Sequence, residues 1–145
     1  MGSGPVRVGP VLGAICSAAV LAAAPSAIGQ PACPPHGQAF ERLTARDIEV
    51  AYRWEPAPLK VGRFFSAEVI ACRAPATVSR ISLDATMPAH GHGMNYRPKA
   101  TKVAPGHYRF SGLMLHMSGH WQITVDLYDG TRLIHRLTRN LDLRP

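Results

Sequence analysis

The stretch Trp121–Leu143, WQITVDLYDGTRLIHRLTRNLDL, decides the fold class. In its first half Trp121, Ile123, Val125 and Leu127 alternate with Gln122, Thr124, Asp126 and Tyr128. That two-residue period belongs to a strand with one buried face. Asp129-Gly130 comes next, a dipeptide suited to the positive φ angles of a tight hairpin, and it leads directly into the second half of the stretch.

The same period recurs outward from this hairpin. In Ile48–Glu55, IEVAYRWE, the residues Ile48, Val50, Tyr52 and Trp54 share one face while Glu49, Arg53 and Glu55 share the other. Phe64–Cys72 (FFSAEVIAC), Arg80–Ala85 (RISLDA) and His107–Ser111 (HYRFS) read as further strands, separated by segments rich in proline and glycine. Residues 41–46 are short and polar, and Asn95–Gly106, NYRPKATKVAPG, is a polar connection without a long periodic segment. No helical stripe, repeat or low-complexity tract interrupts the pattern. The expected fold is all-β: an immunoglobulin-like β-sandwich of about seven strands, with the strand order left open.

The first residues stand apart from this pattern. Arg7 precedes the apolar run Val11–Ala24, and the small residues Ala27-Ile28-Gly29 follow, which is the arrangement of a secretory signal. The run is short for a membrane span, and Pro25 breaks it, so an uncleaved anchor helix is the lesser reading. Cleavage near Gly29 is expected, then an extended lead-in over residues 30–46 and a single domain over 47–145. The mature chain is expected in the periplasm or outside the cell, with no stable membrane span.

Export changes how the cysteines and the charge are read. Cys16 leaves with the leader, and Cys33 and Cys72 remain in an oxidising compartment, where one disulfide is the simplest outcome. The competing reading, a thiolate metal ligand, lacks the CxxC spacing that favours it. The formal net charge is +7, of which Arg7 supplies one, and the remaining cations are scattered along the chain. They are read as a solubility feature; nucleic acid is not an expected partner.

Histidine and methionine are distributed unevenly. Met87–Met94, MPAHGHGM, holds Met87, His90, His92 and Met94, and Leu113–His120, LMLHMSGH, holds Met114, His116, Met117 and His120. If both stretches lie at one end of the sandwich, thioethers and imidazoles can converge on one ion. Thioether sulfur suits Cu(I), and imidazole serves Cu(I), Cu(II) and Zn(II), so the mixed set points to copper, Cu(I) first and Cu(II) second. His90 and His92 flank Gly91 and form the leading chelating pair; Met94, Met87 and Met117 complete the candidate ligands. Each has a plainer role as well. Met87 and Met117 are equally readable as packing residues, Met114 reads as core, and His116 and His120 read as ligands, hydrogen-bonding groups or surface residues.

The segment Leu83–Asp129 resembles a YtkA-like domain, related to the FixH-like group, through three blocks in order: MPAHGHGM, PGHYRFSGL and MSGHWQITV. The resemblance implies an exported or membrane-anchored immunoglobulin-like sandwich associated with copper handling or oxidase maturation. It places the family's His and Met loop on Met87, His90, His92 and Met94, with Met117 from the later block. The FixH-like members keep a transmembrane helix that this chain's mature part is not expected to have. The expected function is a periplasmic copper-binding protein that carries or buffers copper for a recipient protein. The alternative is a metal-independent interaction domain of the cell envelope. No nucleophile sits beside a base and no hydrolase motif occurs, so an enzyme is not expected.

Overall fold

A computed structural model describes Met1, Gly2, Gly4, Cys33, Pro34 and residues 39–145. All but Met1, Gly2 and Gly4 of the expected signal segment over residues 1–29, and residues 30–32 and 35–38 of the lead-in, lie outside the described residues. The described chain forms nine strands: β1 Glu41–Ala45, β2 Ile48–Glu55, β3 Phe64–Arg73, β4 Arg80–Met87, β5 His92–Gly93, β6 Lys99–Ala104, β7 His107–Met114, β8 Gly119–Asp129 and β9 Arg132–Leu143. A single 3-10 turn, Pro88–His90, sits between β4 and β5. No helix among the described residues is long and apolar enough to cross a membrane.

The strands form two antiparallel sheets, one in the order β1-β2-β3-β7-β6 and the other β5-β4-β8-β9. This is the expected β-sandwich. Its core is built from the alternate residues read in the sequence: Val50, Tyr52, Val69 and Phe110 from one sheet meet Ile81, Leu83, Ile123, Val125 and Leu127 from the other. The hairpin at Asp129-Gly130 forms as expected, with Gly130 at φ 59°.

Three strands occupy segments in which no strand was expected: a short polar stretch, the His/Met loop and a polar connection. β1 extends the first sheet beyond β2, β5 pairs only with the last two residues of β4, and β6 covers part of Asn95–Gly106. Every residue of β6 but Ala104 is exposed, so neither face has a buried side that would impose alternation. Its conformation is set by backbone pairing with β7, which side-chain patterning does not report.

Cys33 and Cys72 form a disulfide, as expected, tying the lead-in to the end of β3 across 39 residues. Arg42 lies against it: Nη1 donates to Cys72 Sγ at 3.0 Å, Nη2 donates to the Pro34 carbonyl, and the guanidinium pairs with Glu49 at 3.5 Å. The scattered cations of β2, β7 and β9 are also largely paired. Arg53 meets Glu68, Arg109 meets Glu55, and Arg136 grips the buried Asp126 with two hydrogen bonds of 2.7 and 2.8 Å.

Candidate metal centre

The chain between β4 and β5 turns sharply because Met87 and Pro88 begin a 3-10 turn and Gly91 ends it in the left-handed region, φ 65°. The Gly91 N–H donates to the Met87 carbonyl at 3.0 Å, which closes the loop. A side chain at Gly91 would be strained in this conformation, so glycine is what allows His90 and His92 to stand so close together. His90 projects from the turn and is exposed; His92, on β5, is half-buried.

The second stretch arrives at the same end of the sandwich, between β7 and β8. It brings His116 beside His92, their ring centres 5.3 Å apart, while His90 and His92 are 5.7 Å apart. The rings of His92 and His116 both stand edge-on to Trp121, at 6.3 and 5.6 Å. Trp121 is fully buried, and its Nε1–H donates to the Met117 carbonyl at 3.0 Å, which anchors the second stretch over the first. Gly119 enters β8 at φ 122°, and a Cβ there would lie 3.1 Å from Met87 Cε. Glycine is needed at this crossing for its backbone angle and for the close approach.

Two of the imidazoles have distinctive surroundings at Nδ1. The His92 Nδ1 lies 3.2 Å from the Gly93 carbonyl, which can only accept, so this hydrogen bond selects the tautomer with the proton on Nδ1 and leaves Nε2 as the nitrogen available to a metal. A backbone carbonyl behind the ring is also how metal-bound histidines are commonly oriented. His116 Nδ1 is buried without a hydrogen-bond partner. A polar atom stranded in this way costs about 1–3 kcal/mol, and a ligated cation would remove that penalty.

Spacing is compatible with a shared ion. A ring nitrogen about 2.0 Å from a metal puts the ring centre about 3.1 Å away, so two rings on one ion have centres about 4.4 to 6.2 Å apart. Both neighbouring pairs fall in that range. The three rings stand in file, however, and do not close around a point. Among the described residues, the one group of three His, Cys, Asp or Glu ligand atoms within 4.8 Å of each other is Cys33, Glu49 and Cys72. Its sulfurs are bonded together, with the Arg42 cation against them, which excludes an ion there. Closing the histidines on one metal requires rotation of His90, an exposed side chain for which rotamer changes are fast.

The methionines divide by burial. Met87 is 1% exposed and its side chain belongs to the core; Met94 is half-buried against that core. Met117 is 38% exposed and directly follows His116 in the chain. The structure therefore brings His90 and His92 from the expected set together and adds His116, which spacing alone left undivided among three roles; Met117 follows His116 in the chain, with its carbonyl on Trp121. The signal that could have found it is Trp121, five residues on, whose buried ring fixes where the second stretch must cross.

Two of the other histidines have partners elsewhere. His120 pairs with Asp142 at 2.9 Å across the β8–β9 ladder, and His107 Nε2 meets Glu68 at 2.7 Å. Burial raises the Glu68 carboxyl, but hydrogen bonds and charge from Arg53 and His107 overcome this and leave it below the ordinary carboxylate range.

The YtkA-like family model matches residues 42–126. No curated protein and no solved structure matches the chain. The match spans β1 to most of β8 and includes every residue of the histidine file, and family and disulfide together are compatible with an exported protein of the cell envelope. This chain belongs to the YtkA-like family.

Proposed function

We propose that this protein binds copper at the histidine end of the sandwich and carries or buffers it in the periplasm for delivery to another protein. The observation that supports this is the file of His90, His92 and His116 over the buried Trp121, with one ring nitrogen free to coordinate and another stranded without a partner. Met117, exposed and next to His116 in the chain, would supply a soft thioether suited to Cu(I). Met87 stays with the core and Met94 packs against it, so the proposed ligands are His90, His92, His116 and Met117.

Copper is cargo in this reading, and no reaction is catalysed. The ion is held on one side by groups fixed to the fold and on the other by mobile ones. His92 and His116 are set by Gly93 and Trp121, whereas His90 and Met117 are exposed and exchange readily. A recipient's ligands would displace the mobile pair first and then draw the ion off the rigid pair, so that copper is never released as a free ion.

An anaerobic Cu(I) competition titration of the full chain against a chromogenic chelator tests the proposal. His90→Ala/His92→Ala and His116→Ala are each expected to lose affinity sharply relative to the unaltered protein. Equal affinity in all three would place the copper elsewhere or nowhere.

A further inference from the structure

The second sheet has an open edge. β4 runs from Arg80 to Met87, but β5 pairs only with Thr86 and Met87. The Met94 N–H donates to the Ala85 carbonyl at 3.1 Å and the Gly91 N–H to the Met87 carbonyl at 3.0 Å, so Ala85 and Met87 turn their backbone groups away from β8. Backbone groups alternate in direction along a strand, and Ile81 and Leu83 therefore turn theirs to the same side, beyond the end of β5. No strand of the described chain covers them there.

Strand edges are commonly protected by proline, bulges or lysine. β6, the edge of the other sheet, carries Lys99 and Lys102. Over Arg80–Ala85 there is no proline, bulge or lysine; Asp84 alone blocks one donor, its carboxylate accepting from the Ala85 N–H at 2.8 Å. Ile81 and Leu83 keep both donors and both acceptors.

This edge faces a groove of about 810 Å³ between β4 and β6. Ile81, Leu83, Met94 and Phe110 give it apolar lining, and Arg80, Arg97 and Lys102 line it as well. These three cations have no carboxylate partner among the described residues, in contrast to the paired arginines of β2, β7 and β9. Asp84 is the one acidic residue in the groove, and its carboxylate is engaged with the backbone. Backbone pairing groups, an apolar lining and unpaired positive charge thus meet in one cleft.

We propose that this edge is a strand-addition site: an extended segment of a partner protein, alternating apolar and acidic side chains, pairs with Ile81 and Leu83 and prolongs β5 along β4. Main-chain hydrogen bonds would provide the register, the apolar side chains would enter the cleft, and the carboxylates would meet Arg80, Arg97 and Lys102. The segment needs about six residues, because Arg80–Ala85 covers about 20 Å of strand. The inference does not depend on copper, although the cleft begins at Gly93 and Met94, next to His92.

The test uses the full chain and a capped peptide alternating valine and glutamate, read by amide hydrogen exchange and by fluorescence anisotropy of the labelled peptide. In the free protein the Ile81 and Leu83 amides should exchange faster than those of Ser82 and Asp84, and the peptide should protect them. Arg97→Glu/Lys102→Glu should weaken peptide binding by about fivefold or more at low salt. Arg80 is left intact because its guanidinium also stacks 3.6 Å above the Tyr128 ring. The proposal fails if the peptide leaves Ile81 and Leu83 unprotected, or if a valine–lysine peptide binds equally well. It also fails if those amides are already protected in the free protein. Sedimentation would then separate pairing with a second copy, seen as a dimer, from coverage by the chain's own segments, seen as a monomer.

Discussion

Replacing His116 by leucine should move stability and copper binding in opposite directions. His116 Nδ1 is buried and unpartnered, and such an atom costs about 1–3 kcal/mol. Leucine has a similar volume, adds no polar atom and packs on the Trp121 ring that His116 now touches edge-on. Metal-free His116→Leu should therefore be more stable than the parent by about 1–2 kcal/mol. In a domain of this size each kcal/mol shifts the melting temperature by about 4–8 °C. Copper reverses the order: at a free concentration a hundredfold above Kd, a ligand that binds only the folded state adds about 2.7 kcal/mol. The parent should gain this and the variant should not. Thermal unfolding followed by circular dichroism, run anaerobically with and without Cu(I), gives all four values. The reasoning is refuted if the metal-free variant is less stable than the parent by more than about 1 kcal/mol, because the nitrogen would then have a partner. It is equally refuted if the variant keeps the full copper-dependent rise.

Three further outcomes follow from the same contacts. Opening the disulfide, by reduction or in Cys33→Ala/Cys72→Ala, frees a loop spanning 39 residues of separation and should cost up to about 4 kcal/mol in urea denaturation; an unchanged midpoint would remove the strap's role. Glu68, held below its ordinary 4.5 by Arg53 and His107 against the opposing effect of burial, contributes stability that is fully present above that value and is lost as pH falls through the lowered one. The stability difference between the parent and Glu68→Gln should accordingly shrink as pH falls below the ordinary value, and a constant difference in equilibrium unfolding would contradict the pairing. Met87→Leu, a volume-conserving change in the core, should cost less than about 1.5 kcal/mol and leave copper affinity unchanged, whereas Met117→Leu should weaken it; the reverse ranking in chelator competition would put Met87 among the ligands.

The strands with one buried face were legible in the sequence because burial forces a period of two on the side chains. Ile48–Glu55 is matched residue for residue by β2, and the Asp129-Gly130 hairpin joins β8 to β9. With export expected, the two cysteines beyond the apolar run were also enough to indicate the Cys33–Cys72 bond, since oxidation state follows compartment. Other features have no local signature. β6 is exposed on both faces, so nothing in its side chains records that it pairs with β7. His116 lies 24 positions from His92, and only the packing of both rings against Trp121 makes them neighbours. Met87 and Met117 look alike in composition, yet one is closed into the core beneath Gly119 and the other remains at the surface. The open edge of β4 depends on where β5 stops. Periodicity is a property of neighbouring residues and can be read along the chain; burial of a particular side chain, convergence of separate loops and the pairing of an edge are set by contacts between distant residues, and exist only once the two sheets have packed.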